Sequence, residues 1–558
     1  MKKERARRNF LAYFTGVGLG STLLPGIAWA RLQDSAETEL SLPMMRTSAR
    51  LAGLDFTDEE LGLMVDEVNK NFAFYEEMRE VDIDNSVAPA LYFDPWVPGI
   101  EVDRVPRPLA MTRERVSRPQ ELEDVAFWPV TRLAALIESK QVSSVELTEM
   151  YLGRLERWNP TLNCVVNLTP ERARESARRA DAELAAGRNR GPLHGIPWGA
   201  KDIIAVAGYP TTWGAGVFET RVIDRDAAVV ERLDEAGAVL VAKLTTGELA
   251  FGHNWFGGRT RNPWNPEEGS SGSSAGSGSA TGAGLVGFAI GSDTGGSILS
   301  PSVRCGVSGL RPTFGRVSRH GVMAAGFSLD KIGPMCRSVE DCALVLSAIT
   351  GSDDRDVATR EDVPFNWDGR SGEGPRIGYF ELAFDEDASN ESPASRDNAR
   401  RTLDALREQG HSLTAVELPR SRLTYFIEYV ERSAGFDGFK RDRLDADLVR
   451  QNHRGELRAS HLVPAVEYLQ ANRIRRQLMD ETAALFNGLD AIVAPWRSIN
   501  PLTSMTGHPV VTVRNGFTPE GTPTGIAFVG QVYGEGTLLA AAKAYQDATG
   551  FHDRHPDL

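Results

Sequence analysis

The chain is poor in cysteine and short of positive charge. Four cysteines in 558 residues are too few for a disulfide framework, and none of their spacings is the paired C-x-x-C of a structural zinc site. Lys and Arg number 62 against 76 Asp and Glu, which gives a net charge of −14. That sign argues against a protein that neutralises a phosphate backbone, so nucleic acid is not expected to bind this chain.

Long apolar runs are confined to the first thirty residues. A basic segment, Met1–Arg8, precedes the uncharged run Asn9–Ala30, which ends in the small-x-small sequence Ala28–Ala30. This layout is typical of an export signal, and the pair Arg7 and Arg8 resembles a twin-arginine signal. We expect cleavage of residues 1–30 and a periplasmic or secreted chain with no membrane span. The alternative is a membrane anchor formed by the uncleaved signal.

Residues 31–120 are expected to form a helical extension and a proline-rich linker. Thr57 and Glu60 have the spacing of a capping box at a helix start. Behind them apolar residues recur at helical spacing: Leu61, Met64, Val65, Val68, Phe72 and Tyr75. The segment Ser48–Glu60, with two later short stretches, resembles the C subunit of the tRNA-dependent amidotransferases. The alternative is an unrelated amphipathic hairpin.

Residues 121–558 are expected to form one large α/β domain. Ser143 and Glu146 again have capping-box spacing, and Asn159-Pro160 predicts the end of that helix. Helical segments alternate with apolar strand candidates, namely Cys164–Leu168, Ala238–Lys243 and Val286–Ile290. This alternation predicts a mixed β-sheet covered by helices on both faces.

A run rich in serine and glycine occupies Gly269–Gly284, with six of each among its sixteen residues. Its composition alone is that of a flexible linker. After an apolar strand, however, a second such turn follows at Gly291–Ser297. A backbone that turns at Gly295 and Gly296 can aim several N–H groups at one point and expose the Ser297 hydroxyl beside them. This context favours a nucleophile with an oxyanion hole over a linker.

A serine nucleophile needs a base that accepts its proton. The nine histidines are scattered, and none stands in a nucleophile-elbow or trypsin-like context, which disfavours a Ser-His-Asp triad. Lys201 lies at the end of an apolar strand bounded by glycine. A buried lysine can have its pKa lowered toward neutrality, so Lys201 is the other candidate base.

Lys201, the serine-rich run and Asp293–Ser297 resemble, in their order and spacing, the amidase signature family. The resemblance covers roughly residues 127–552 and includes three further motifs, Cys305–Ser318, Gly333–Asp341 and Gly507–Thr512. It implies a Ser-cis-Ser-Lys triad with Ser297 as nucleophile, Ser273 as bridging serine and Lys201 as base. Ser273 is preferred to its neighbour because the bridging serine of the family opens the Ser-Ser pair.

The resemblance also implies a mechanism. Lys201 accepts a proton from Ser273, which takes one from Ser297 as Ser297 attacks the substrate carbonyl. An acyl-enzyme forms, the relay reverses to protonate the leaving amine, and water clears the acyl group. No metal or organic cofactor is required. The oxyanion is expected to be bound by backbone N–H groups of Thr294, Gly295, Gly296 and Ser297.

Two departures from the family pattern bear on the substrate. Leu299 stands where the family commonly has an arginine, and Arg304 is a nearby cation that could replace it. Residues 374–488 carry few family motifs, and this is the stretch in which such enzymes vary their substrate pocket. The motifs therefore do not identify the acyl group of the substrate.

We expect from these observations an exported amidase that hydrolyses the C–N bond of a linear, non-peptide carboxylic amide, with a small molecule as substrate. One alternative is the A subunit of a tRNA-dependent amidotransferase, which would release ammonia from glutamine for a partner. A second is an ester or carbamate hydrolase with the same triad. A third is a catalytically inactive binding protein. Assembly into a homodimer is left open.

Overall fold

A computed structural model describes residues 40–81, 83–369, 374–385, 391–419, 422 and 424–558. The predicted export signal, residues 1–30, lies outside the described residues. The described chain falls into two compact units. One comprises the residues up to Asp84 together with His461–Glu467, and the other comprises Asn85–Ser460 and Tyr468–Leu558.

The first unit contains two helices, α1 (Leu42–Leu51) and α2 (Asp58–Arg79). The capping box predicted at the start of α2 is confirmed: the Thr57 N–H donates to Glu60 Oε2 at 2.7 Å, and the Glu60 N–H donates to Thr57 Oγ1 at 3.3 Å. Leu61, the first residue of the predicted apolar stripe, is buried. The side chains of two later members, Phe72 and Tyr75, lie outside the described residues. The resemblance to a C subunit stays a prediction.

An eleven-stranded mixed sheet forms the centre of the second unit. Its strand order is β1-β3-β2-β8-β10-β9-β14-β15-β13-β11-β12, and two small hairpins pair β4 with β5 and β6 with β7. The strands are β1 (Val165–Leu168), β2 (Pro197–Lys201), β3 (Val239–Leu244), β4 (Asn254–Trp255), β5 (Gly258–Arg259), β6 (Arg261–Asn262), β7 (Asn265–Gly269), β8 (Phe288–Asp293), β9 (Ser308–Arg311), β10 (Lys331–Cys336), β11 (Ile377–Phe380), β12 (Leu413–Val416), β13 (Ala491–Ala494), β14 (Val510–Phe517) and β15 (Pro523–Val529).

Helices cover both faces of this sheet, so the predicted α/β class with a mixed sheet is confirmed. None of the helices in the described ranges is long and apolar enough to cross a membrane. Beyond α2 they are α3 (Val130–Glu138), α4 (Ser144–Leu162), α5 (Pro170–Ala185), α6 (Ala228–Glu235), α7 (Ala275–Gly282), α8 (Leu299–Cys305), α9 (Val339–Ile349), α10 (Pro393–Glu408), α11 (Tyr425–Gly435), α12 (Asp437–Arg441), α13 (Gln451–Ala459), α14 (Ala465–Leu485), α15 (Trp496–Thr506) and α16 (Glu535–Thr549).

Helix α4 begins where the sequence predicts and ends later. The Ser143 side chain accepts the Glu146 N–H, and the Glu146 carboxylate accepts the Ser143 N–H, which completes the capping box. The predicted stop at Asn159-Pro160 is wrong, because α4 continues to Leu162. The last turn accommodates Pro160, and the helix ends instead at Asn163, which has the left-handed φ of 50°.

The serine- and glycine-rich run forms a buried helix rather than a linker. All eight residues of α7 are buried. A β-carbon on Gly276 would lie 2.4 Å from both the Cys164 carbonyl oxygen and the Thr245 backbone nitrogen. The absence of side chains at such positions lets the helix lie directly against the backbone of neighbouring elements, which explains the composition of the run.

Gly276→Ala should destabilise the chain by about 1 to 3 kcal/mol, because the new methyl group would overlap backbone atoms that cannot rotate away. Gly153→Ala is the matched control. Gly153 is exposed on α4 with no atom within 4 Å of its added β-carbon, so alanine there should stabilise the helix by about 0.5 to 1 kcal/mol. Thermal unfolding of both variants measures the difference. Equal shifts of Tm would contradict the close packing of α7.

Candidate active site

Lys201 is the last residue of β2, a strand buried along its whole length. Its Nζ atom is fully buried and lies 2.8 Å from Ser273 Oγ and 2.8 Å from Ser292 Oγ. Ser273 follows a cis peptide bond with Gly272 and is itself buried. The structure therefore brings together two of the predicted triad residues, which are far apart in the sequence.

Burial lowers the pKa of Lys201 to about 7, because the charged form loses its hydration. The negative charges of Asp293 and Asp330 act against this lowering, and the positive charge of Arg432 adds to it. A substantial fraction of Lys201 is therefore neutral near pH 7. The lone pair of a neutral amine can accept the Ser273 proton while its N–H groups donate to Ser292.

The loop that carries Ser297 is organised by the carboxylate of Asp293, the last residue of β8. Asp293 Oδ1 accepts the Gly296 N–H at 2.7 Å, and Oδ2 accepts the Ile298 N–H at 2.7 Å. Gly296 has a φ of 111°, a backbone conformation that favours glycine. The turn is thus closed around one acidic side chain, and Ser297 lies half-buried between these two anchored residues.

The predicted oxyanion donors are not equivalent. The Gly296 N–H is used by Asp293 and so serves the loop itself, which corrects the expectation that all four N–H groups face an oxyanion. For the N–H groups of Thr294, Gly295 and Ser297, the described residues provide no acceptor. Gly295 is exposed, and its carbonyl accepts a hydrogen bond from Asn500 Nδ2 at 2.9 Å. Three donors therefore stay available.

Ser297 lies against the chain that carries Ser273. The Ser274 N–H donates to the Ser297 carbonyl oxygen at 3.1 Å, and the Ser273 carbonyl accepts the Gly247 N–H at 3.1 Å. Within the described ranges no hydrogen bond joins the Ser297 hydroxyl to Ser273. The backbone contact places the two predicted residues side by side, and the link between their hydroxyls stays a prediction.

The sequence analysis did not identify three residues that support the site, namely Ser292, Arg311 and Asn500. Ser292 is the second hydroxyl partner of Lys201, and Arg311 Nη1 lies 3.1 Å from Asp293 Oδ1, with both charges fully buried. Arg311 also donates to Asn500 Oδ1 at 2.7 Å. Ser292 and Arg311 both lie within motifs that the sequence analysis quotes, so their positions in the sequence were known although their roles were not. Their roles depend on contacts between distant segments that no local pattern encodes.

The two residues that bear on the family pattern, Leu299 and Arg304, both lie on α8, which begins two residues after Ser297. Leu299 is fully buried in the main apolar core at the start of α8. The Arg304 guanidinium pairs with Glu268 at 2.9 Å and also donates to the Gly269 carbonyl. Arg304 is therefore engaged at the surface with an acidic neighbour and does not stand in for the missing arginine.

Comparison with known proteins settles the family. The profile of the Amidase family matches residues 146–504. The chain belongs to the amidase signature family. The chain is 36% identical to the A subunit of the glutamyl-tRNA(Gln) amidotransferase of Methylococcus capsulatus, over 76% of the chain and 98% of the relative. It is 35% identical to the corresponding A subunit from Chloroflexus aurantiacus, over 77% and 98%.

Solved structures agree with the fold. The native peptide amidase of Stenotrophomonas maltophilia is 32% identical, with a TM-score of 0.67 over 77% of the chain described here and 98% of the peptide amidase. The chain is therefore an enzyme of a family that acts on carbon–nitrogen bonds.

The expectation that the chain is a hydrolase of linear, non-peptide amides is contradicted. The curated relatives over most of the chain are named as A subunits of an amidotransferase, which is the first alternative considered above. The error has a physical reason. A lysine, a serine pair and a nucleophile loop of this kind would serve acyl transfer whatever the acyl group is, so these motifs predict a type of chemistry and not a substrate.

The rate constant kcat/KM should rise as the pH passes about 7 and then level off, because only neutral Lys201 can take the Ser273 proton. Lys331 needs a control, since burial lowers its pKa to about 7 as well. Its Nζ donates to the Ser504 carbonyl and not to Ser273. Lys331→Met removes a positive charge that acts on Asp293 and should lower the plateau of kcat/KM, but the pH at which kcat/KM rises should stay the same, because Lys331 is not among the charges that act on Lys201. Loss of the rise in that variant would contradict the assignment to Lys201.

Proposed function

We propose that this enzyme releases ammonia from the side-chain amide of glutamine, as the A subunit of an amidotransferase. The single observation that carries the proposal is the similarity to such subunits, which spans 98% of their length at up to 36% identity. The arrangement of Lys201 and Ser273 supports it, because the same chemistry cleaves a primary amide without a cofactor.

In the proposed reaction, Ser297 attacks the amide carbon while its proton passes through Ser273 to Lys201. The developing negative charge on the amide oxygen is bound by the free N–H groups of the loop, each worth about 3 kcal/mol in comparable sites. Lys201 then returns the proton through Ser273 to the departing nitrogen, and ammonia leaves. Water hydrolyses the acyl-enzyme by the reverse route, which yields glutamate.

The partner implied by this proposal is a protein that holds glutamyl-tRNA(Gln) and uses the ammonia. The chain itself has a net charge of −14, which disfavours direct contact with the phosphate backbone of tRNA. The tRNA would therefore be bound by the partner. This division also explains how an acidic enzyme can belong to an RNA-dependent reaction.

Ser297→Ala should lower ammonia release from glutamine by at least about 10³-fold, because no other group in the loop replaces the nucleophile. Ser300→Ala is the matched control, since that hydroxyl contacts Ser271 in the neighbouring segment and should keep nearly full activity when removed. A fluorophosphonate probe, which labels an activated serine covalently, should label Ser297 without any amide substrate present. Labelling that survives Ser297→Ala would contradict the site.

The substrate is tested by a panel that contains glutamine, a peptide with a C-terminal carboxamide, and an ester of glutaric acid. Ammonia release from glutamine should exceed the turnover of the other compounds. Faster release from the peptide carboxamide would replace glutamine with a peptide substrate. Faster ester cleavage would favour the ester hydrolase considered above.

Export through residues 1–30 stays a prediction and affects the choice of partner, because an exported chain would be separated from cytoplasmic tRNA. Intact mass of protein from the native source should show a chain that starts at Arg31. Joint replacement of Arg7 and Arg8 by lysine should prevent this processing. A full-length chain in the membrane fraction would contradict cleavage.

A further inference from the structure

Helix α11 presents an acidic side chain beside the nucleophile loop. Glu428 Oε2 lies 3.3 Å from the position that a β-carbon on Gly295 would occupy, and Gly295 is exposed two residues before Ser297. The other oxygen, Oε1, accepts a hydrogen bond from Arg432 Nη2 at 2.9 Å. Across the described part of the chain, no N–H or O–H group donates to Oε2. Glu428 Oε2, which accepts no hydrogen bond from the described residues, therefore lies beside the loop that carries Ser297.

The position of Glu428 is fixed by contacts on both sides of the helix. The buried carboxylate of Glu431 accepts the Ser328 N–H at 2.9 Å and the Ser328 hydroxyl at 2.7 Å. Arg432 donates to the Leu249 carbonyl at 3.3 Å as well as to Glu428. Because these contacts fix both α11 and the Arg432 guanidinium, the Glu428 carboxylate is already oriented before a substrate binds.

The surroundings of Glu428 favour a cation. Tyr425 lies three residues before it, on the same helical face, and is exposed. The ring of Tyr425 stacks on Tyr429 with their centroids 5.5 Å apart. Ammonium groups bind carboxylate oxygens and the faces of aromatic rings. The neighbouring positive charge of Arg432 partly offsets this attraction, so a moderate gain in affinity is expected.

We infer that Glu428 determines specificity by binding an ammonium group on the acyl part of the substrate while the scissile amide carbon lies against Ser297. The inference rests on the proposed function in one respect: glutamine has such a group, its α-ammonium, four bonds from the amide carbon. The carboxylate touches substrate and takes no part in proton transfer.

The test uses two pairs of primary amides that differ only in the ammonium group: glutamine with glutaramate, and δ-aminovaleramide with valeramide. Wild-type enzyme should prefer the ammonium-bearing member of each pair. Glu428→Gln keeps the size of the side chain and removes its charge. It should lower kcat/KM by about 10- to 100-fold for the ammonium-bearing amides, mainly through KM, and by less than about 2-fold for the others.

Glu456→Gln is the matched control. Glu456 is a half-exposed carboxylate on α13, near enough to add to the rise that burial causes in the pKa of Tyr429. The three atoms nearest to the β-carbon position of Gly295 all belong to Glu428, and none belongs to Glu456. This variant should keep the preference of the wild type. An equal loss on both members of each pair in Glu428→Gln would show a structural effect and overturn the inference.

The outcomes separate the inference from the proposed function. Glutamine turnover with no preference for ammonium, or with a preference that survives Glu428→Gln, would leave the proposed function standing and overturn the role of Glu428. A Glu428-dependent preference for δ-aminovaleramide without glutamine turnover would support the inference and overturn glutamine as substrate. Inactivity on all four amides would overturn both.

Discussion

The carboxylate of Asp293 accepts backbone N–H groups from both sides of Ser297 and pairs with the Arg311 guanidinium in the interior. Burial by itself would raise the pKa of Asp293, but the charges of Arg311 and Lys331 and the two short N–H bonds hold it below the usual value. A buried charge of this kind is stable only while all of these partners are present. The loop conformation, the free N–H groups and the position of Ser297 therefore depend on it.

The topology of the sheet explains why the base lies beside this loop. Strands β2 and β8 are parallel neighbours, with Ala200 opposite Ile290. The next residues at their carboxyl ends are therefore adjacent, and Lys201 meets Ser292 although 91 positions separate them in the sequence. Carboxyl ends of parallel strands are the usual place for a site in an α/β sheet. The contact between Lys201 and Ser292 thus follows from one strand pairing.

The sequence predicts acyl-transfer chemistry far better than it predicts the substrate of that chemistry. Lys201 and the turn at Gly295 were identified from local signatures, namely an apolar strand end and a pair of glycines, whereas Ser273 was assigned through the resemblance to the amidase signature family. The buried helix α7 was not identified as a helix, since glycine is a poor helix former and only close packing explains it there. Glu428 was missed for a related reason. Its significance depends on its distance from Gly295, which lies in a different part of the chain.

Lys201 differs from the other buried lysine of the adjacent strand in having no counter-ion among the described residues. Lys243 Nζ lies 2.7 Å from Asp202, whereas the described partners of Lys201 Nζ within hydrogen-bond distance are hydroxyl and carbonyl oxygens. The Lys201 pKa of about 7 is below the value of about 10.4 for an unfolded lysine. Between these two values the unfolded chain binds a proton that the folded chain does not, so the free energy of unfolding rises with pH. Near neutral pH the burial of Lys201 therefore lowers the free energy of unfolding, and the surrounding core must offset this loss. An ion pair with Lys201 would remove the loss. It would also keep the amine protonated, so that Lys201 could no longer accept a proton.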